Sequence, residues 1–393
     1  MLTKEENELL TRVGPGTPAG ELLRRYWHPV AVAQELTEES PTKFVRILGE
    51  DLVLFRDLSG RAGLLADKCS HRSASLVYGR VEERGISCAY HGWLYDTCGN
   101  ILETPPERND AIMNSVRQKA YPVQQFVGLI WAYMGPEPAP VMPRYDLWVR
   151  KDGRRKVIIH PRLDCNWLQA MENSVDPAHL QVLHQEFIGR GRQPVNTTRG
   201  FTDDVEHYEF YVTDYGIIKR RTYKTGEVDE HPLIFPNILR QGFATQIRVP
   251  MDDTHTHHFF VHFDPTPDGS LVDQSDDEIP VEYLEPYKDP PEGLHPWARF
   301  KLRSVISQDH MAWETQGPIA DRTVEHLSYS DRGVHLLRQV LKENIAKVQR
   351  GEDPLAVVRD PEHRMIDTKL EVSIRGIDGV SARAALQGAG TRA

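Results

Sequence analysis

The chain has 393 residues, 39% of them hydrophobic and 26% charged, with a formal net charge of -10. That composition supports real apolar cores and sets an expectation of two or three soluble domains. The negative charge argues against nonspecific binding to nucleic acid or an anionic membrane surface, and suits a cytoplasmic protein.

The opening MLTKEENELLTRVGPG is charged where a secretion signal would be apolar, and no apolar run approaches the ~18 residues of a membrane span. Thr3 is placed to cap a first helix, with Glu6 completing a reciprocal cap, and Gly14-Pro15-Gly16 ends it. A second helical stretch is predicted over Glu21–Tyr26. From Phe44 the pattern turns to short strands: Asp51–Asp57, a turn at Leu58-Ser59-Gly60-Arg61, and a return strand over Ala62–Lys68. This continues to Met134, where Gly135-Pro136-Glu137-Pro138-Ala139-Pro140 breaks the chain. Helix is predicted over Trp167–His184. Strands follow over Val205–Thr213, Ile217–Tyr223, Ala244–Pro250 and Thr256–Phe263, then a loop-rich stretch from Asp264 to Pro296 and a helix over Leu302–Glu314. Ser330 or Asp331 caps a last helix in which Val334, Leu337, Leu341, Ile345 and Val348 recur at steps of three and four, and Gly351 stops it. The expected class is α+β, divided into a helical segment 1–43, a β-domain 44–134 and a mixed domain 135–393.

The chain has four cysteines, too few for a disulfide scaffold. Two of them sit in short loops that each pair a Cys with a His: Cys69-Ser70-His71 and Cys88-Ala89-Tyr90-His91. A two-iron, two-sulfur cluster with thiolates on one iron and imidazoles on the other needs this ligand set. A Cys₂His₂ zinc site would more commonly pair Cys with Cys and His with His. Cys98 and Cys165 are expected to be buried, inert thiols.

A second constellation is Asn173-x-x-Asp176-x-x-His179-x-x-x-x-His184. His179 and His184 are five residues apart, about 140° out of register on a regular helix. Both reach one metal only if the helix is irregular between them, for instance through a π-bulge, and Pro177 removes a backbone donor nearby. Two His and one carboxylate form the facial triad of non-haem Fe(II) sites that keep positions open for oxygen. The His-rich run Thr254–His258 reads as a surface strand. Arg190-Gly191-Arg192 and Lys219-Arg220-Arg221 read as solvated loops.

The run CSH…CAYHGW resembles the Rieske family over about Phe44 to Met134. Respiratory Rieske proteins join their cluster loops by a disulfide. Ala74 and Tyr90 stand at those positions here, so that bridge cannot form. Trp93 replaces the hydrogen-bonding Ser of the respiratory kind, which implies a potential low in the Rieske range of about −150 to +300 mV. The pattern DxxHxxxxH resembles the iron helix of Rieske non-haem iron oxygenases. The resemblance implies a distant third ligand. Asp309 fits best, with Asp321, Glu314 and Asp252-Asp253 as rivals. It also implies that Asp176 bridges an iron-ligating His to a cluster His of a neighbouring subunit. Asn173 is a candidate for supporting the ligands. The opening, both metal motifs and Gln316–Thr323 look most like the phthalate dioxygenase branch.

The resemblance implies a Rieske domain beside a helix-over-antiparallel-sheet catalytic domain, assembled as a head-to-tail homotrimer or two stacked trimers. It implies a [2Fe-2S] cluster, a mononuclear Fe(II) and O2 as co-substrate. No nicotinamide or flavin fingerprint is present in this chain, so NAD(P)H electrons would arrive through a separate reductase, with or without a ferredoxin. The expected reaction is hydroxylation of an aromatic substrate, with oxidative O- or N-dealkylation of an aromatic ether or amide as the alternative. A cluster-only electron carrier is the rival class.

Overall fold

Local capping chemistry starts the chain. In the computed structural model, which describes residues 1–184, 205–288 and 304–368, the Thr3 hydroxyl accepts from the Glu6 amide at 3.1 Å and the Glu6 carboxylate from the Thr3 amide at 2.9 Å. That reciprocal cap opens the helix Lys4–Thr11. Thr17 caps the next helix, Pro18–Leu23, with proline at its first position. This helix ends sooner than the sequence suggested, because Trp27–Val32 is a fully buried strand. It pairs with Leu129–Tyr133, which pairs in turn with Val123–Phe126.

Two four-stranded antiparallel sheets make the β-rich part. One runs Thr42–Ile47, Glu50–Arg56, Ala62–Ala66 and Ala120–Tyr121; the other runs Arg80–Glu82, Gly85–Ser87, Leu94–Tyr95 and Ile101–Glu103. Val53, Phe55, Leu65, Leu76, Ile86, Trp93 and Tyr95 fill a core between them that includes Cys69 and Cys88. The two cysteine loops are thus anchored in packed apolar side chains.

The rest is built on an eight-stranded sheet. Its order is Val205–Val212, Gly216–Tyr223, Val228–Ile234, Ile238–Gln241, Ala244–Pro250, Thr256–Pro265, Gly153–Ile159 and Val281–Tyr283. Every pairing is antiparallel except the last. The stretch read as loop from Asp264 onward therefore contains a strand. Trp167–Ser174 packs over Ile238–Gln241 and Ala244–Pro250, and Arg332–Gln349 packs on that helix and on Pro18–Leu23. Gly351, at φ +79°, ends the long helix as its sequence signalled.

Glu172 ties this helical layer together. Its carboxylate accepts from Arg322 at 2.8 and 2.7 Å and from Arg338 at 2.7 Å. Burial raises the Glu172 carboxyl, but the two guanidiniums outweigh it, and the group lies below its ordinary value of 4.5. A carboxylate held down in the fold stabilises fully above that ordinary value and loses its contribution as pH falls through the folded one. Glu172→Ala leaves Arg322 buried without its anionic partner, Arg338 keeping Glu325, and should cost about 3–5 kcal/mol in urea unfolding at pH 7. The difference from wild type should shrink below pH 4.5.

Candidate active site

The two cysteine loops have one design. The Ser73 amide donates to the Cys69 carbonyl at 2.8 Å, and the Gly92 amide to the Cys88 carbonyl at 2.9 Å. Both donors take left-handed backbone, φ 58° and 74°. At Gly92 an added Cβ would also come within 3.3 Å of Pro105, so a glycine is needed there. Gln118 pins the first loop. Its side-chain amide donates to the carbonyls of Ala66 and Lys68 at 2.7 and 2.9 Å, and its oxygen accepts from the Ser70 amide at 2.9 Å.

Cys69 and Cys88 are each 3% exposed. Burial raises the Cys88 thiol, and Cys69 beside it adds to the rise. Two adjacent buried thiols resist ionisation unless a cation sits between them. His71 and His91 lie 4.5 Å apart, ring centre to ring centre, and His71 stacks on Trp93 at 4.4 Å. The Nδ1 atoms of both imidazoles are buried with no hydrogen-bond partner. Two buried thiols and two inward, unpartnered nitrogens fit a [2Fe-2S] cluster held half by sulfur and half by nitrogen.

The sulfur environment differs from the motif reading in one respect. The Tyr95 hydroxyl lies 3.0 Å from Cys69 Sγ and 3.0 Å from Ser70 Oγ, so a ligand sulfur has a hydrogen-bond partner although Trp93 supplies none. Tyr95→Phe should lower the cluster potential by tens of millivolts, on the scale of about 59 mV per tenfold change for one electron. A redox titration followed by circular dichroism reads this directly. Of the spare cysteines, Cys165 is buried, with burial pushing its thiol up to about 12. Cys98 is exposed, against expectation, because it sits in a tight turn closed by Asp96.

The second constellation begins on the helix Trp167–Ser174, capped by Asn166. Pro177 has no amide to give to the Asn173 carbonyl, so the Asp176 amide takes that acceptor at 3.1 Å and the helix closes early. A new turn, His179–Val182, then starts, and the Leu183 amide donates to the His179 carbonyl at 2.7 Å. The helix is interrupted ahead of His179 and ends again at Val182, so it stops between the two histidines, as their spacing required. No π-bulge forms there, and the single helix over Trp167–His184 is two pieces.

Asp309 comes from the helix Val305–Glu314, capped by Ser304. Its Oδ1 lies 3.1 Å from His184 Nε2 and 3.7 Å from His179 Nε2. One ligand atom from each of the three falls within 4.8 Å of the others. His184 Nδ1 donates to Gln308 Oε1 at 2.9 Å, whereas His179 Nδ1 makes no hydrogen bond among the described residues and lies 3.4 Å from Asp176 Oδ2. Asn173 Nδ2 donates to Asp309 Oδ1 at 3.3 Å. Burial lowers His184, yet Asp309 and Gln308 outweigh it and the imidazole stands above its ordinary value. Asp309 is correspondingly held below its own. The rival carboxylates are engaged elsewhere: Asp252 with Arg46 and His255, Asp253 with Arg12, Glu314 with Lys288, and Asp321 with Thr323.

Two basic runs behave differently from their sequence reading. The run around His258 is not a surface strand. His258 is fully buried with His160 and His310, and its Nδ1 lies 3.0 Å from His310 Nε2. Burial drives His160 and His258 far below the ordinary value and His310 to about 4. This trio contains no carboxylate of its own; Asp309 acts on His310 from the neighbouring position, and Arg248 adds positive potential to all three. The donor chemistry favours the group that contains Asp309. Lys219 and Arg221 are likewise buried on a strand, not solvated, with Arg221 paired to Asp229 through two hydrogen bonds. Arg190-Gly191-Arg192 lies outside the described residues.

The model of the Rieske [2Fe-2S] domain matches residues 26–126. The oxygenase subunit of 5,5'-dehydrodivanillate O-demethylase from a Sphingobium species is 40% identical over 375 residues, 92% of this chain and 84% of its own. The chain belongs to the Rieske oxygenases. A second member, the phthalate 4,5-dioxygenase oxygenase subunit of Pseudomonas putida, is 34% identical over 90% of this chain and 89% of its own. The fold is shared with the terminal oxygenase of carbazole 1,9a-dioxygenase from Nocardioides aromaticivorans, with a TM-score of 0.61 at 17% identity over 86% and 96% of the two chains. This Rieske oxygenase carries a [2Fe-2S] cluster and a mononuclear iron and acts as the terminal oxygenase. Related oxygenases work with separate electron-transfer partners such as a ferredoxin. No helix among the described residues is long and apolar enough to cross a membrane.

Proposed function

We propose that this Rieske oxygenase hydroxylates an aromatic substrate in the cytoplasm with electrons from a reductase, directly or through a ferredoxin. The supporting observation is the convergence of His179, His184 and Asp309 on one point. Two neutral nitrogens and one carboxylate suit Fe(II) and leave positions free. The iron, when bound, supplies reductive activation of dioxygen. The protein's share is orientation. Gln308 accepts from His184 Nδ1, so that ring presents Nε2 as a lone pair, and Asp176 Oδ2 stands 3.4 Å from His179 Nδ1, where it favours the same tautomer. Cys69, His71, Cys88 and His91 hold the cluster in this reading. Residues 44–134 form its domain, 135–393 the catalytic one, and 1–43 lead in.

Asp176 is the electron bridge. One carboxylate oxygen faces His179, and the residue is only partly buried, so the carboxylate can also meet an imidazole from outside. His71 and His91 are partly exposed beside an exposed Tyr90, as suits a donor surface. A head-to-tail homotrimer, alone or stacked in pairs, brings one subunit's His71 or His91 to the next subunit's Asp176.

A second reading, oxidative O-demethylation of a methoxylated aromatic, is favoured by the relative at 40% identity, itself an O-demethylase subunit. Hydroxylation at the methyl carbon gives a hemiacetal that releases formaldehyde and leaves the phenol. The same residues serve both outcomes; the difference is which carbon faces the iron. Turnover with a reductase against aromatic acids, methoxylated aromatics and amides separates them. Ring hydroxylation supports the first reading and stoichiometric formaldehyde the second. Oxidation of non-aromatic compounds alone would sink both.

A further inference from the structure

Lys219 sits where an ammonium is costly. It lies on the strand Gly216–Tyr223 and is 3% exposed. Among the described residues its Nζ has one hydrogen-bond acceptor, the main-chain carbonyl of Asp176 at 3.1 Å. The nearby Asp229 is taken by Arg221 through bonds of 2.9 and 2.6 Å, so no described carboxylate pairs with Lys219. A buried cation with a lone carbonyl partner is less stable than an apolar side chain of similar length. Burial lowers its pKa to about 7. The charged groups that face it are Arg221, Asp229 and His231 from the sheet, Asp176 from the break after the helix Trp167–Ser174, and Asp309 from the helix Val305–Glu314.

We propose that Lys219 is a positioning residue for Asp176, fixing the turn from which the Asp176 carboxylate reaches His179. The inference rests on the reading of Asp176 as the electron bridge. Asp176 lies at the helix break that Pro177 enforces, with the regular ladder gone on both sides. Other contacts replace it. The Asp176 amide donates to the Asn173 carbonyl at 3.1 Å, Oδ1 accepts from the Ala178 and His179 amides at 2.7 and 3.4 Å, and Lys219 holds the carbonyl. With the residue held at both ends, Oδ2 is left facing His179 Nδ1 at 3.4 Å. Removing this donor frees the turn while leaving all proposed metal ligands in place.

The test is single turnover by stopped flow, with the holoenzyme reduced by dithionite and then mixed with oxygen and substrate. Lys219→Met should keep its cluster and its iron and be reduced normally. Its substrate-triggered cluster reoxidation should slow by about tenfold or more, the lower end for lost support of a ligand. Lys219→Arg should recover part of the rate, because a guanidinium can also donate to the carbonyl. Wild-type reoxidation in Lys219→Met while Asp176→Asn is slow would overturn this inference alone, and so would loss of iron from Lys219→Met. Wild-type reoxidation in Asp176→Asn would overturn the electron-bridge reading and this inference with it.

Discussion

Asp309→Ala should lose the mononuclear iron, keep the cluster and have no substrate-dependent oxygen uptake above background. With Asp309 gone, His179 and His184 remain as two neutral nitrogens without an anionic partner, and Fe(II) affinity falls with ligand count and charge. The cluster lies in a separate core around Cys69 and Cys88, so its absorption and its acid-labile sulfide should be unchanged. Retention of iron at full stoichiometry would move the ligand role elsewhere.

What could be read in the sequence follows from how local each interaction is. The residues proposed as cluster ligands come as Cys-x-His and Cys-x-x-His, and the bonds that shape each loop, Ser73 to Cys69 and Gly92 to Cys88, span four residues. Such a motif carries its own geometry. Asp309 is 125 residues past His184, and no pattern in the chain links them. Its assignment came from family resemblance, and the structure brings it to the two histidines. Pro177 was legible as a perturbation, but its effect fell upstream, because the missing amide would have served the Asn173 carbonyl. Lys219 and Arg221 looked solvated because a basic triplet normally is. On a strand, alternation turns both inward, and Asp229, the register partner of Arg221, neutralises one of them from the next strand. The trio of His160, His258 and His310 draws one residue from each of three distant segments, so no spacing could announce it. Tyr95 acts on the first cysteine loop through its hydroxyl and Gln118 through both ends of its side-chain amide, and neither type in isolation signals such a role.

Asp176→Asn is the sharper test of function, because it changes one atom and no proposed metal ligand. The amide can still accept from the Ala178 amide as Asp176 Oδ1 does at 2.7 Å, so the turn should survive. The lost element is the negative charge facing His179 Nδ1. An ionised carboxylate between two imidazoles accepts from both and fixes both tautomers. An amide can accept through one oxygen only and presents N–H groups to the other ring, which breaks the hydrogen-bonded path. Burial raises the Asp176 carboxyl, but His179, the Ala178 amide and Lys219 outweigh it and keep the group below its ordinary value. The native Asp176 carboxylate is therefore ionised at neutral pH, and the charge that the variant removes is one that is present. Iron and sulfide contents should match wild type, and reduction of the cluster by its electron donor should proceed normally. Substrate-dependent turnover should fall by about 100-fold, the upper range for removal of a ligand's hydrogen-bond partner. Because the electron stalls at the cluster, the steady state should show it more reduced than in wild type, whereas a damaged substrate site would leave it no more reduced when substrate saturates. Full turnover in Asp176→Asn would mean that electrons reach the iron by another route.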